Sequence, residues 1–248
     1  MWYLFYSFKI LFLLLLYRIA YAQEEPTLSA KDFSQEKVLS WLEIGGGANA
    51  YRGDLNTQMR FWQPTLQISL QLNRKRQWNG KFTFISASIR AENPLYEYPL
   101  PENPPATPNT YFETNFFSLQ YELHYNIIKK RDFIWFISQG IGFLRFRIQD
   151  LEGRDLTQIT STRKVGETYS TNVLTLPTGI GFLYNFTNGF GFLAQTTLYN
   201  LRTDYIDNIK AWGTLPQNDN VLALKLGFLI PLYKQPLRQL HVQNEHTH

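Results

Sequence analysis

A strict alternation of polar and apolar residues is the feature that most constrains the fold of this chain. In the segment 61–73, which reads FWQPTLQISLQLN, a polar residue occupies every second position and the positions between are apolar. The same pattern returns in the segment 116–127. Because successive side chains of a strand point to opposite faces, each segment predicts a strand with one polar and one apolar face.

The length of these segments favours strands that cross a membrane. Strands of soluble domains run to about five or six residues, whereas a tilted strand across an outer membrane needs about 9 to 11. Eight such segments follow one another, at 39–51, 61–73, 81–91, 113–127, 133–148, 172–186, 190–201 and 221–233. When eight strands close into a barrel, every backbone group is paired and no strand edge is left in the lipid. The pattern therefore predicts an all-β fold, an eight-stranded antiparallel transmembrane outer-membrane β-barrel.

The joins between the segments predict which end of the barrel faces outward. The joins 74–80, 128–132 and 187–189 are short, and the four joins that alternate with them are long. Outer-membrane barrels have short periplasmic turns and long extracellular loops. The second long join holds six of the twelve prolines, as an extended loop allows. Pro64, Pro177 and Pro231 fall inside predicted strands, so we expect bulges or strand ends there.

The chain opens with a segment typical of a secretory signal peptide. Residues 10–16 form a continuous apolar run, and Ala-Tyr-Ala at 20–22 is a small-x-small cleavage pattern. A retained membrane anchor is the alternative, although Arg18 shortens the apolar span below the roughly 20 residues that a helix needs. The predicted organisation is a signal peptide at 1–22, a periplasmic N-terminal segment at 23–37, the barrel domain at 38–233 and a periplasmic C-terminal tail at 234–248.

Composition excludes several classes of protein. The chain has no Cys, which removes disulfide frameworks and thiolate metal sites. A net charge of +4 without a long basic run gives no support for nucleic-acid binding. The 19 Phe, 15 Tyr and 6 Trp suit aromatic girdles at a lipid surface, so we predict outer-membrane lipid as a partner and the cell outer membrane as the location.

We predict no catalytic, metal-binding or cofactor-binding residue. The long joins contain no His, the residue most often used for acid–base chemistry near neutral pH. The carboxylates of Asp54, Asp204 and Asp207 leave an enzyme as a minor alternative. The protein is therefore predicted not to be an enzyme.

The lumen of an eight-stranded barrel is just wide enough for side chains, so we predict a plugged interior. Its predicted charges are Glu43, Glu122, Arg145, Arg147 and Lys225. Buried charges have to be paired. We therefore expect Glu43 on the first strand to meet Lys225 on the last strand across the closing seam.

Two segments predict a motif at the extracellular rim, one leaving the first strand and one leaving the seventh. The predicted rim residues are Tyr51, Arg52, Gly53, Asp54, Arg202, Thr203, Asp204, Tyr205 and Asp207. The eighth strand pairs with the first, which brings the two segments close. We expect Arg52 near Asp204 or Asp207, and Arg202 near Asp54, joined by charge-assisted hydrogen bonds.

At these residues the sequence resembles the Bacteroidetes outer-membrane barrel family that includes PorG of the type IX secretion system. Family members are similar in a Tyr-x-Gly-Asp-Leu element, here 51–55, and in a Thr-Asp-Tyr-Leu-Asp-Asp element, here 203–208. The chain departs from the second element at Ile206 and Asn208. The resemblance implies a structural or assembly component of type IX secretion and gliding that contacts periplasmic ring proteins.

Basic residues in the predicted periplasmic turns offer a surface for such a partner. They are Arg74, Lys75, Arg76, Lys129, Lys130 and Arg131. An acidic protein surface would complement them, and the alternative is contact with lipid headgroups or water. The competing function is a surface binding or adhesion barrel that works through its long extracellular loops.

Overall fold

The computed structural model describes residues 37–72, 77–96, 109–130, 132–164, 166–210, 213 and 219–235. Its eight strands are β1 Lys37–Arg52, β2 Trp62–Leu72, β3 Trp78–Glu92, β4 Tyr111–Lys129, β5 Phe133–Gln149, β6 Asn172–Asn185, β7 Gly191–Leu201 and β8 Asn220–Gln235. Each strand pairs antiparallel with the next, and β8 pairs with β1 to close the barrel. The predicted eight-stranded antiparallel barrel is confirmed.

The predicted signal peptide at 1–22 lies outside the described residues, as do most of the predicted N-terminal segment and of the predicted tail. The proline-rich loop is described only at its two ends. Within the described residues a short 3-10 helix, Thr160–Thr162, lies in the third long loop. No helix in that part of the chain is long and apolar enough to cross a bilayer.

Two of the prolines inside strands coincide with irregular pairing, as expected. Pro231 pairs with Trp41, next to the register shifts between β1 and β8 near Ser40. Pro177 lies where the β5–β6 ladder is interrupted, between the Gln139–Thr178 and Gly142–Thr175 pairs. The Gln139 side chain lies over this gap, donating from Nε2 to the Pro177 carbonyl oxygen at 3.1 Å and accepting from the Thr178 hydroxyl at 2.8 Å.

The strand segments next to the short turns form what we call the turn half of the barrel, and here polar residues point inward. Glu43, Gln67, Lys81, Glu122 and Lys225 are buried inside. Large apolar residues cover the outside: Ile44, Leu66, Ile68, Leu70, Phe82, Phe84, Phe117, Leu119, Leu123, Ile141, Phe143, Ile180, Leu224, Leu226 and Phe228 are all exposed. We call this surface the apolar belt. A wide exposed apolar surface on a closed barrel is what a lipid bilayer covers.

The strand segments next to the long loops form the loop half, and here the polarity is reversed. Its interior holds an apolar core that includes Ile89, Phe112, Phe116, Phe146, Ile148, Leu201 and Val221. Its outer surface carries exposed polar and charged residues, among them Arg52, Arg90, Glu92, Asn115 and Asn172. Polar groups outside and apolar groups inside are the arrangement of a barrel in water, so the loop half projects beyond the bilayer.

This reversal corrects the prediction that Arg145 and Arg147 line the lumen. Both side chains are exposed on the outside of β5, whereas Leu144, Phe146 and Ile148 are buried inside. The alternation of β5 continues unbroken, but its outer face passes from lipid into water. The polar side chains of this part of β5 therefore belong to the outer face.

Candidate functional site: the closed mouth and the charged lumen

The described part of the loop that joins β7 to β8, residues 202–210, packs into the mouth of the barrel. Ile206 and Ile209 of this loop are buried in the apolar core of the loop half. The Thr114 hydroxyl on β4 donates to the Ile206 carbonyl oxygen at 2.6 Å. Burial of each isoleucine is worth about 1.5–3 kcal/mol, so the loop is part of the folded core.

Tyr51, at the end of β1 and next to β8, also holds this loop in place. Its hydroxyl hydrogen-bonds the Asp207 carboxyl and also the Asp219 carboxyl at 3.1 Å, and its ring packs edge-on against Phe112 at 4.9 Å. Gly53 lies beside it, where a β-carbon would overlap both the Tyr51 hydroxyl and the Asp219 carboxyl. The glycine of the Tyr-x-Gly element is therefore required for the tyrosine to reach the loop.

Other predicted rim residues hold neighbouring loops together. Asp54 accepts a hydrogen bond from the Tyr96 hydroxyl at 3.2 Å. The Tyr205 ring stacks on Tyr169 at 4.5 Å, and its hydroxyl donates to Glu167 at 2.9 Å. Thr203 accepts locally at its hydroxyl from the Tyr205 amide, and Asp204 is half-buried. The contacts of the two rim segments thus involve residues of all four long loops.

The predicted pairing of Arg52 with Asp204 or Asp207, and of Arg202 with Asp54, is wrong. Arg52 and Arg202 are both exposed, and no ion pair joins either of them to these carboxylates. Arg52 follows Tyr51 on the strand, so its side chain necessarily points to the outer face while Tyr51 points inward. The contact between the two segments is made by the tyrosine.

Asn208 is a central residue of the mouth that sequence reasoning noted only as a departure from the family pattern. It is buried, with φ at 67°. Its amide donates to Asn109 at 3.1 Å and to Thr162 at 2.8 Å, and its oxygen accepts from Tyr169 at 2.9 Å. An aspartate could not make the two donations. Asn is also among the few residues that adopt this left-handed backbone readily.

The acids of the mouth favour protonation more than acids in water do. Burial raises the pKa of Asp207 well above its usual range. The pKa of Asp219 is also raised well above its usual range, mainly by burial and secondly by the nearby charge of Asp207. Burial and then the Asp54 charge raise the pKa of Asp204 to about 6. Asp219 was not among the predicted residues, because the sequence around it carries no motif.

The lumen of the turn half contains a network of buried charges, which we call the charged layer: Glu43, Lys81, Glu122 and Lys225. Lys81 pairs with Glu43 at 2.7 Å, and Lys225 lies 4.0 Å from Glu122. Gln195 connects the two pairs, because it accepts from Lys81 at 3.3 Å and donates to Glu122 at 2.9 Å. Two positive and two negative side chains thus span the barrel.

The expected partner of Glu43 was therefore wrong, although Glu43, Glu122 and Lys225 do lie inside. Glu43 faces Leu229 across the β1–β8 seam, and Lys225 faces Gly47. This stagger of the strands separates the two charges along the barrel axis. Glu43 pairs instead with Lys81 on β3, a lumen charge that the sequence analysis did not single out.

Apolar layers lie on both sides of the charged layer. Toward the short turns, the interior is filled by Trp41, Ile134, Phe136, Leu183, Leu193 and Leu229. His124 stacks on Phe136 at 4.3 Å within reach of Glu122 at 3.9 Å. Toward the loops lies the core that holds Ile206. The interior therefore alternates apolar, charged and apolar layers along the axis.

The predicted basic turns are only partly described. Lys129 and Lys130 lie at the β4–β5 turn, where the Lys130 amide donates to the Phe133 carbonyl oxygen at 2.9 Å. Arg74, Lys75, Arg76 and Arg131 lie outside the described residues.

The chemistry of the described site residues is that of a structural closure. The described residues include no group of three or more His, Asp or Glu side chains arranged to hold a metal ion. In the mouth, the Tyr51 hydroxyl hydrogen-bonds the Asp207 carboxyl, and the Tyr96 hydroxyl hydrogen-bonds the Asp54 carboxylate. The closed barrel, its apolar belt and its plugged lumen define an outer-membrane β-barrel protein.

Comparison with solved structures gives the same fold. The chain is similar to Neisserial surface protein A (NspA), with a TM-score of 0.50 and 12% identity over 80% of this chain and 100% of that one. It is also similar to Ail, the attachment invasion locus protein of Yersinia pestis, with a TM-score of 0.44 and 12% identity over 77% and 97% of the two chains.

A third similar structure is the outer membrane enzyme PagL, with a TM-score of 0.35 and 14% identity over 77% of this chain and 99% of that one. No family model and no curated protein sequence matches the chain. At such identities the likeness establishes the fold alone.

Proposed function

We propose that this protein is a non-enzymatic outer-membrane barrel that acts as a structural or assembly component through contacts with other proteins, in the manner of the Bacteroidetes family that includes PorG. The observation that carries the proposal is the buried contact of Tyr51 with Asp207. These residues come from the two elements in which the chain resembles that family. The elements are used to close the mouth, which suits a scaffold better than a pore or an enzyme.

The periplasmic face is the proposed contact surface for ring proteins of type IX secretion and gliding. At the other end of the barrel, Ile206 and Ile209 of the described loop residues are buried in the apolar core. The turns, in contrast, carry Lys129, Lys130 and the cluster at 74–76. Clustered basic side chains steer and orient an acidic partner.

Affinity purification from gently solubilised outer membranes, with a tag after His248, tests this proposal. We expect periplasmic ring proteins to copurify with the wild type, and we expect recovery to fall when Lys129→Glu and Lys130→Glu are combined with charge reversal at 74–76. The matched control reverses five exposed basic residues at the other end of the barrel, Arg52, Arg60, Arg90, Lys164 and Arg202, and should leave recovery unchanged. Recovery of the barrel alone, or equal losses in both variants, would refute the periplasmic assembly role.

The second candidate is a surface binding or adhesion barrel. The projecting loop half favours it, because the described parts of its loops carry exposed charges that could serve as an extracellular surface. Deleting residues 97–108 of the proline-rich loop separates the two functions, since a scaffold that works from the periplasm should retain its secretion phenotype. A variant that loses surface binding while secretion is intact would favour the second candidate.

A further inference from the structure

The boundary between the apolar belt and the loop half is abrupt on β4 and β5. Phe143 on β5 is 69% exposed, and Phe117 on β4 is 58% exposed. Arg145 lies two residues beyond Phe143 on the same outer face, directly opposite Phe117 in the ladder. It is therefore the first charged residue of β5 above the lipid-covered surface.

Within the described residues, no carboxylate forms an ion pair with Arg145, in contrast to its neighbour Arg147. Arg147 pairs with Asp155 at 3.0 Å, and Arg90 lies opposite Glu113 in the β3–β4 ladder. The ladder neighbours of Arg145 are Phe117 and Asn172, which are uncharged. Within the described part of the chain, no ion pair joins Arg145 to a carboxylate.

An exposed arginine at this height faces lipid headgroups. The guanidinium is a planar fork that matches the oxygens of a phosphate, and its aliphatic stem can lie along apolar surface while the charge stays in the interface. Phe117 and Phe143 would contact the acyl chain of the same lipid. A soluble anion would gain nothing from these two rings, so the arrangement is complementary to a phosphorylated lipid.

We propose that Arg145, with Phe117 beside it on β4 and Phe143 below it on β5, binds the phosphorylated headgroup of a lipid in the outer leaflet. The site lies on the outer wall of the barrel. It is independent of the mouth, the lumen and the periplasmic turns, so its existence does not depend on the function proposed above.

Native mass spectrometry of the mature protein, released from nanodiscs, tests the site. The probes are bis-phosphorylated lipid A and the same lipid without its phosphates, each doped into a zwitterionic betaine lipid that carries no phosphate. We expect the wild type to retain the phosphorylated lipid about tenfold better than the dephosphorylated one, as one charge-assisted interaction with phosphate implies. Arg145→Gln should abolish this preference.

Two controls make the result specific. Lys164→Gln removes one positive charge from an exposed position in the third long loop, and it should keep the preference. Phe143→Ala should weaken retention of both lipids alike, because it removes contact with the acyl chain. Arg145 and Phe143 are exposed, so neither substitution disturbs the core.

The proposal fails if the wild type retains both lipids equally, or if Arg145→Gln keeps the tenfold preference. Equal losses in Arg145→Gln and Lys164→Gln would indicate diffuse charge attraction and would also overturn it. Displacement of the bound lipid by inorganic phosphate at equal concentration would assign the site to a soluble anion instead.

Discussion

The turn half and the loop half of this barrel share the same eight strands but solve opposite solvation problems. In the turn half, lipid surrounds the wall, so Ile68 and Phe82 face outward and Glu43 and Lys81 face the lumen. In the loop half, water surrounds the wall, so Arg147 faces outward and Phe146 faces inward. One alternating strand can therefore serve both halves, because the solvent outside decides which residue type each face carries.

The two halves also use their charges differently. The Glu43–Lys81 pair is fully buried, whereas the Arg147–Asp155 pair has an arginine that is 62% exposed. Desolvation makes a buried charge costly when its partner is removed, and water compensates an exposed one. Mutation of each pair should reveal this contrast.

The largest effect is expected in the charged layer. Lys81→Met leaves Glu43 buried without its cation and should lower the free energy of unfolding by about 3–5 kcal/mol. Reversible urea unfolding in lipid vesicles measures this change. Arg147→Met, the matched removal of an exposed cation, should cost about 0–1 kcal/mol. The double variant Lys81→Met with Glu43→Gln should recover much of the loss, and similar losses in the two single variants would contradict the contrast.

The next effect tests the position of the lipid boundary. Ile68→Arg places a charge in the apolar belt and should cost about 2–4 kcal/mol, as arginine does near the middle of a bilayer. Asn115→Arg on the outer face of the loop half should cost about 0–1 kcal/mol. The same vesicle unfolding assay compares them. A cost for Asn115→Arg as large as that for Ile68→Arg would place the loop half inside the bilayer.

A smaller effect is expected at the mouth. Tyr51→Phe removes the hydroxyl that hydrogen-bonds Asp207 and Asp219 and should destabilise the docked loop segment 202–210 by about 1–3 kcal/mol. Hydrogen exchange of the Ile206 and Ile209 amides reports on that loop. Tyr111→Phe, which removes a half-buried hydroxyl near Glu113, is the matched control and should stay within about 0.5 kcal/mol. Equal protection in both variants would disprove the anchoring role of Tyr51.

The last effect is a dependence of loop docking on pH. The pKa of Asp204 is about 6 in the docked loop and lies near its ordinary value of 3.8 when the loop opens. The docked state therefore binds the proton more tightly than the open state. The stability that this proton gives to the docked loop is complete below the ordinary pKa of 3.8 and is lost as the pH rises through about 6. The raised pKa values of Asp207 and Asp219 act in the same direction.

Hydrogen exchange of the same two amides, corrected for intrinsic rates, measures this dependence between about pH 4 and about pH 8. Protection should fall as the pH rises, and Asp204→Asn should remove the part of the change centred near the Asp204 pKa. Glu152→Gln, at an exposed position of another loop, should not alter the profile. Protection that increases with pH would refute the assignment.

The candidate site was only partly predictable, and the reason differs between its residues. The position of Tyr51 and Asp207 near one rim follows from strand order alone. The choice of Tyr51 over Arg52 as the contact depends on which face of β1 each residue occupies at that height. Asn208 and Asp219 act through contacts with distant loops, and nothing in their local sequence indicates those partners.

The sequence by itself determined the number of strands, their pairing order and the barrel closure, because these follow from a period of two and from the alternation of short and long joins. It also determined that Glu43, Glu122 and Lys225 lie inside. Tertiary structure alone decided where lipid ends and water begins along each strand, and hence that Arg145 and Arg147 point outward. It also decided that Glu43 pairs with Lys81, since the stagger of closed strands sets the height of every lumen charge.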